Sequence, residues 1–360
     1  MVKWRHRETE IASKQSSWNG DTQHCFPSLF GFSNRVVFNI MFADDSKDIF
    51  LSLFANPLWT TWITINALVT VIGLWILTIP NWVPNYVLGG MLFGKLAPQN
   101  PSKILRLIQI PKQWFTHFYA FATLFNAINL TIVFRLYIMQ SPVPACALTL
   151  LNFVVPGREV TIDTFATLLS MMLIFIQTAR RLYECIFISV YSNAKINLLQ
   201  YFLGFLFYFS VTTTLLSEAP GFSLSDSRCG WVCVSAADIL FEVESFGWIC
   251  YFLFASLMHY QSHVILGNLR KNTKGDVVTT AHLIPVGLWF EYISCPHYLA
   301  EILIYIAIFT ILGFTHYGWS LVLYWVIFSQ VFAGLMTHRW YKQKHKSYPA
   351  KRKAIIPFVL

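Results

Sequence analysis

Charge is what this sequence has little of. Asp, Glu, Lys and Arg together make 12% of its 360 residues, against about a quarter in an ordinary soluble domain. Hydrophobic residues make 56%, and the mean hydropathy is +0.53. That balance excludes a water-soluble globular fold, and long apolar runs place the chain among helical membrane proteins. Other absences narrow the function. No G-x-G-x-x-G sits at a strand-to-helix turn and no P-loop occurs, so no Rossmann nucleotide domain is expected. The His-x-x-His-His boxes of membrane di-iron oxygenases are missing and the ten His are scattered, so no metal is expected. There is no internal repeat of the kind a transporter with inverted halves carries. No positively charged n-region is followed by an apolar h-region, so a cleaved signal peptide is not expected. The seven Cys show no metal-ligand spacing. Cys229 and Cys233 share one loop, and their pairing stays open.

What is present reads as an all-α polytopic membrane bundle of about seven transmembrane helices. The apolar stretches are Leu58–Ile79, Phe115–Met139, Thr164–Thr178, Ile196–Leu216, Ile239–Met258, Leu299–Phe314 and Trp319–Met336. The first holds 22 residues without a charge, enough to cross a hydrocarbon core of about 30 Å at about 1.5 Å per residue. Residues 81–114 read as a loop, with Gly89, Gly90, Pro98, Pro101 and Pro111 as breakers. Residues 1–56 read as a poorly ordered extension in which Phe26–Phe42 has the content of a surface helix. Residues 57–360 form the membrane domain. The net charge of +9 does not signal nucleic acid. Lys and Arg number 4, 3, 3 and 7 after spans one, three, five and seven, against 1, 1 and 0 after the others. That alternation places the C-terminus in the cytosol.

Polar, cationic and aromatic groups crowd into residues 259–360. Such groups are costly in hydrocarbon and are expected where something is bound or reacted. Arg270 and Lys271 suit phosphates, Tyr292, Tyr298 and Tyr341 suit ring stacking, and Glu301 is an acceptor. An ordinary cytosolic membrane border carries similar groups, so both readings stand. His259 and His263 share a helical face at i, i+4, placed for hydrogen bonding to a ligand or for packing. Arg180 and Arg181 read either as a helix-end pair, with Glu184 as the i, i+4 partner of Arg180, or as one wall of a phosphate-bearing site.

Four stretches carry a resemblance. RRLYECIFISVYSN, HVILGNLRKN, IPVGLWFEYISCPHYLAEI and SYPAKRKAIIPF resemble the steroid 5-alpha-reductase family, and in particular its polyprenal (polyprenol) reductase branch. The resemblance covers roughly Gly89 to Leu360 and is strongest after His259. It implies NADPH-dependent reduction of a carbon–carbon double bond conjugated to a carbonyl, on a long-chain isoprenoid lipid in the endoplasmic reticulum membrane. By position it assigns Arg270, Glu301 and Tyr341 to cofactor contacts. His259, His263 and His297 fall where steroid-type members have Asn or Asp contacts, and Arg181, as a wall of a phosphate-bearing site, is counted with the cofactor contacts. His338 falls in the family's His-rich stretch. Two departures matter. Steroid-type members polarise the substrate ketone with a Glu and a Tyr, where this chain has Gln109 and Thr178. The catalytic acid is therefore open among His117, Tyr119, Tyr183 and His338, with Gln109 at the family's Glu position. The alternatives are a steroid 4-ene reductase, a trans-2-enoyl-CoA reductase and a non-catalytic lipid-binding scaffold.

Overall fold

The computed structural model describes residues 56–92, 94–97, 106–222 and 236–360. The expected surface helix at Phe26–Phe42, the disorder assigned to the first residues and the pairing of Cys229 with Cys233 all lie outside these. In chain order the helices are α1 (Pro57–Thr78), α2 (Asn85–Met91), α3 (Phe115–Tyr137), α4 (Ala145–Val154), α5 (Thr164–Tyr183), α6 (Leu198–Ser217), α7 (Ala236–Asn268), α8 (Pro296–Ile311) and α9 (Tyr317–Lys344). Two three-residue strands, β1 (Gln109–Pro111) and β2 (Lys195–Asn197), pair antiparallel with Gln109 opposite Asn197. The all-α expectation missed this ribbon, which is too short to show an alternating pattern.

The helix starts follow capping chemistry. Asn56 Oδ1 accepts from the N–H groups of Leu58 and Trp59 at 3.1 and 3.2 Å, with Pro57 in the first turn. Asp163 caps α5 through Ala166 N–H at 2.7 Å. Asn197 and Gln200 form a capping box on α6. Their amides also donate to the carbonyls of Gly89 and Gly90 at 3.0 Å. Those two glycines lie inside α2, not in the expected loop.

Among the described residues, six helices are long and apolar enough to cross a membrane: Pro57–Thr78, Lys112–Tyr137, Thr164–Ile188, Leu198–Ser217, Ser245–Asn268 and Tyr317–Lys344. The sixth expected span, α8, is shorter, with 16 residues, about 24 Å at 1.5 Å per residue. It packs on α7 and α9, with Ile304, Ala307, Ile308 and Ile311 essentially inaccessible. The core is completed by Trp319, Phe252, Met171 and Leu215. Leu68, Val71, Leu124, Ile128, Leu253 and Leu257 point outward and exposed, as helices solvated by lipid require.

Three helices outrun their apolar stretches. The third was expected to end at Thr178, yet α5 reaches Tyr183 and continues as a π-helical turn over Glu184–Ile188. The fifth was expected to end at Met258 and reaches Asn268, and the seventh continues to Lys344. Arg, Lys, Glu and Gln are good helix formers, so hydropathy falls where the helix does not. These extra turns hold the polar residues in fixed register. Helix α4 was not expected at all; ten residues between Pro144 and Val155 gave too short a pattern.

Candidate active site

Helix α5 supplies Gln177, Arg180, Arg181 and Glu184, spaced so that they share one face. Helix α7 supplies His259 and His263, α8 supplies His297 and Glu301, and α3 supplies Tyr119. These nine side chains meet inside the bundle. Glu184 is wholly buried and accepts from both Arg180 and Arg181. Arg180 also donates to Gln177 Oε1 at 2.5 Å and lies 3.0 Å from His259 Nδ1. Gln177 in turn donates to Glu301 at 2.9 Å. His259 Nε2 is 3.2 Å from the same carboxylate. Arg181 reaches His263 Nε2 at 3.2 Å and Tyr119 Oη at 3.3 Å, with its guanidinium 5.1 Å from the Tyr119 ring. A buried ion must be paired and hydrogen-bonded to persist, and here Glu184 pairs directly with both guanidiniums while Gln177 and His259 link Arg180 to Glu301. Two buried polar atoms of the network remain unmatched, the Arg180 Nε–H donor and His297 Nδ1.

A second group of side chains gathers around Lys95, which lies in the loop between α2 and β1, and draws on the last turns of α9. Lys95 sits over the Tyr341 ring at 4.1 Å and the Trp340 ring at 5.1 Å. Burial, and then the neighbouring Lys112 and Arg270 against an opposing Cys295, lower its ammonium to about 8. Arg270 donates to the Val190 carbonyl and lies 3.2 Å from His282 Nδ1. Burial and the cations Lys95, Arg270 and Lys112 push His282 down to about 4, so it is the neutral acceptor that Arg270 needs. No carboxylate among the described residues forms an ion pair with Lys95 or Arg270. Close packing holds Arg270 in place: a Cβ on Gly267 would stand 2.6 Å from the Ile188 carbonyl oxygen, so only glycine lets α7 approach that strand of backbone.

Eight of the residues singled out from sequence come together in the buried network: Tyr119, Arg180, Arg181, Glu184, His259, His263, His297 and Glu301. Arg270 and Tyr341 belong to the cationic group, where Tyr341 Oη donates to the Leu283 carbonyl at 3.4 Å. His338 is elsewhere. It bonds Ser294 Oγ at 2.7 Å, and Ser294 also meets Tyr348 at 2.5 Å, which ties the C-terminal tail to the start of α8. His117 pairs with Tyr201 at 3.2 Å at the surface. Tyr183 is 49% exposed and contacts Phe187 on the outer face. Gln109 is held in β1 and shares no hydrogen bond with the network among the described residues. Tyr292 is exposed against Phe358. The Thr178 hydroxyl bonds back to the Ile174 carbonyl at 3.0 Å, so it is not available where the steroid-type Tyr would act.

Sequence reasoning missed Gln177, Lys95 and His282. Gln177 carried a usable signal, a polar residue one turn before Arg180 in an otherwise apolar helix. Lys95 and His282 had none, because loops from distant parts of the chain bring them together. Glu184, His259 and His263 place ligand atoms within 4.8 Å of one another. Both Glu184 oxygens already accept from guanidinium groups, and two positive charges there oppose a divalent cation.

Residues 229–360 match the family described as 3-oxo-5-alpha-steroid 4-dehydrogenase. Polyprenal reductase of Homo sapiens is 34% identical over 314 residues, covering 84% of this chain and 96% of that protein. Polyprenal reductase of Ailuropoda melanoleuca is 35% identical over the same coverage. The Xenopus tropicalis protein of that name is 37% identical over 269 residues, 74% of this chain and 84% of its own.

Proposed function

The chain belongs to the polyprenal reductase branch of the steroid 5-alpha-reductase family, and on that premise we propose that it saturates the α-isoprene double bond of a polyprenal with NADPH. The product is the dolichol-type aldehyde, a precursor of the lipid carrier of protein N-glycosylation. One observation carries the reading: a buried, charge-paired network, with unmatched polar atoms on Arg180 and His297, inside a bundle otherwise solvated by lipid.

The residues fit a nicotinamide dinucleotide phosphate. Among the described residues Lys95 and Arg270 form no ion pair with a carboxylate, and both suit its phosphates, while Trp340 and Tyr341 offer flat faces beside Lys95. Arg180 Nε supplies a buried donor, and His297 Nδ1 a buried polar partner, for its polar atoms. When bound, the cofactor would deliver hydride to the β carbon of the enal. The chain's own residues do the rest. Negative charge builds on the aldehyde oxygen as the β carbon is reduced, and a donor must already stand there. Tyr119 is the group we assign. Its hydroxyl accepts from Arg181 and therefore keeps its own proton for the aldehyde oxygen. Arg181 stabilises the charge that develops on Tyr119, and Glu184 holds Arg181 in place. The α carbon then takes a proton from Tyr119 or water. Exclusion of bulk water strengthens each of these interactions.

The chemistry also selects the substrate. An allylic alcohol has no group to withdraw electrons from its alkene, whereas an enal does, so polyprenal rather than polyprenol is the species reduced. A 4-ene-3-keto steroid is disfavoured because Gln109 and Thr178 replace the family's ketone-polarising acid pair. The alternation of basic loops supports a C-terminus in the cytosol, with the cofactor entering from that side of the endoplasmic reticulum membrane. The test is to incubate detergent-purified protein with NADPH and, separately, a polyprenal, a polyprenol and a 4-ene-3-keto steroid. Reduction of the aldehyde alone is expected. Direct reduction of the alcohol, or no reduction of the aldehyde, sinks the reading.

A further inference from the structure

Two irregular segments fold back toward the apolar part of the bundle, beside helices that run on past them. The first, residues 286–293, enters α8 through one 3-10 turn, Leu288–Glu291. The Trp289 ring stands 6.2 Å from that of Phe254, and Trp289 packs with Met258 and the buried Ile293. Met258 closes the apolar stretch of α7, and the helix continues ten residues further to Asn268, about 15 Å at 1.5 Å per residue. The second segment, residues 352–360, follows the end of α9 at Lys344 and comes back along that helix. Ile355 is buried against Gly334, where a Cβ would stand 3.4 Å from the Ile355 side chain. Gly334 lies in the apolar stretch of α9, ten residues before its end. Both segments therefore sit level with the border where hydrocarbon gives way to headgroups, not beyond the helix ends. Leu253, Phe254 and Leu257 of α7 are exposed at the same level, so the surroundings there are lipid.

The two segments are joined. Lys353 N–H donates to the Tyr292 carbonyl at 2.9 Å, and Ser294 N–H donates to the Lys353 carbonyl at 2.8 Å. Their side chains meet as well, with the Tyr292 and Phe358 rings 5.9 Å apart. Val286, Leu288, Tyr292, Phe358 and Val359 are exposed, Phe358 at 80% and Val359 at 74%. Leu288 and Phe358 have φ of 50° and 64°, a left-handed region that bulky residues rarely adopt. Each of these turns presents an apolar side chain outward, a cost that packing inside the protein does not offset. Apolar surface gathered in this way marks a contact, and the backbone is prepared for a dry one. Ile355 and Ile356 N–H donate to the Leu360 oxygen at 2.8 Å, and Val359 and Leu360 N–H donate to the Ile356 carbonyl at 3.3 and 3.1 Å. Gly287 N–H donates to Glu291 Oε1 at 2.5 Å. Backbone groups satisfied internally can leave water. Lys351 and Lys353 flank the apolar tip in sequence, as cations that meet lipid phosphates do.

We propose that residues 286–292 and 356–360 form one wedge that inserts into the phospholipid leaflet at the Arg270 end of the bundle. The proposal rests on the membrane fold and not on the polyprenal reading. Leu288, Phe358 and Val359 enter the acyl boundary, while Lys351 and Lys353 stay among the headgroups. The leaflet then braces the site from outside. Residue 293 leads into α8, which carries His297 and Glu301, and Arg352 donates to the Pro285 carbonyl at 2.9 Å.

The whole chain is placed in phosphatidylcholine nanodiscs with an environment-sensitive fluorescent amino acid at position 358 and, separately, at position 288. The same probe at position 346, where Lys346 is exposed in the tail ahead of the wedge, is the aqueous reference. Quenching is read with iodide and with lipid spin-labelled near the headgroup end of its acyl chain. At 358 and 288 the spin-labelled lipid should quench strongly, and iodide should quench about fivefold or more weakly than at 346, as burial at the headgroup boundary requires. Iodide quenching equal to that at 346, without quenching by lipid, puts these residues in water and overturns the proposal. Protection from both quenchers means that a protein surface covers them, and it overturns the proposal equally. Insertion of only one of the two positions overturns the assignment of a single wedge.

Discussion

Replacing Glu184 by Gln should show most plainly what holds the network together. Glu184 is completely buried and is the shared acceptor for Arg180 and Arg181, whose side chains are 16% and 13% exposed. The amide keeps the size of the carboxylate but removes its charge and one acceptor site. Two guanidiniums would then share the interior with Glu301 as the remaining carboxylate of the network. Breaking a buried ion pair by removing one partner costs about 3–5 kcal/mol. At about 2–4 °C per kcal/mol for chains of a few hundred residues, the thermal midpoint should fall by on the order of 10 °C. The assay is tryptophan or dye fluorescence in detergent, read with and without NADPH. The cofactor should protect the unaltered protein strongly and the variant weakly, because Arg180 and Arg181 are no longer held. A midpoint within about 2 °C of the unaltered protein, with full protection by cofactor, would refute the argument that Glu184 anchors the site.

Lys95 gives a pH test. Its ammonium is lowered to about 8, and a bound phosphate favours the charged form. NADPH should therefore bind fully below that value and weaken as the pH rises through it, with KM for NADPH climbing up to about tenfold per unit. Lys95→Met should raise KM at neutral pH and flatten that rise; an unchanged profile counts against the cationic group. Glu218 tests the far end of the bundle. It accepts from Thr161 Oγ1 at 2.5 Å and from the N–H groups of Tyr317 and Gly318 at 3.0 and 2.7 Å, at the start of α9. Burial alone would raise its carboxyl, but His316, Thr161 and Gly318 outweigh burial and hold it below the ordinary carboxylate range. A depressed value means that the stabilisation is present above the unfolded pKa and is lost as the pH falls through the folded one. Glu218→Gln should cost about 1–3 kcal/mol at neutral pH and remove that acid sensitivity, with a thermal midpoint series against pH as the check.

Much of the architecture was legible because hydropathy and charge alternation are strong signals in membrane helices. The spans from Leu58 to Ile79 and from Trp319 to Met336 fall inside α1 and α9 with little error. Apolar content located α8 but could not show that it is shorter than the other spans and buried between α7 and α9. Nor could it find helix ends, since α5 and α7 continue through Arg180, Arg181, His259 and His263. Continuation was the decisive feature, because it turns a helix-end charge pair into a wall of the site. The i, i+4 spacing of Arg180 and Glu184 was read correctly as a pair, but the role of Glu184 toward Arg181 needed the π-helical turn to be seen. His297 and Glu301 were reached through motif order, and the structure then gave them partners. Tyr183 and His117 looked equivalent to Tyr119 on paper. Only the rotation of α3 and α5 within the bundle separates the one that faces Arg181 from the two that face outward. Lys95 was invisible, because its setting is made by Tyr341 and Arg270 from far along the chain.

The central claim is conjugate reduction of an enal inside this network, and isotope transfer tests it most directly. The protein is incubated with a polyprenal and NADPH carrying deuterium at the transferable position, and the product is analysed by mass spectrometry and NMR. The account predicts a saturated α-isoprene unit with the deuterium on the β carbon, and loss of that product in Tyr119→Phe. Deuterium on the former carbonyl carbon, with the double bond intact, would contradict it, because the protein would then reduce the aldehyde rather than the alkene.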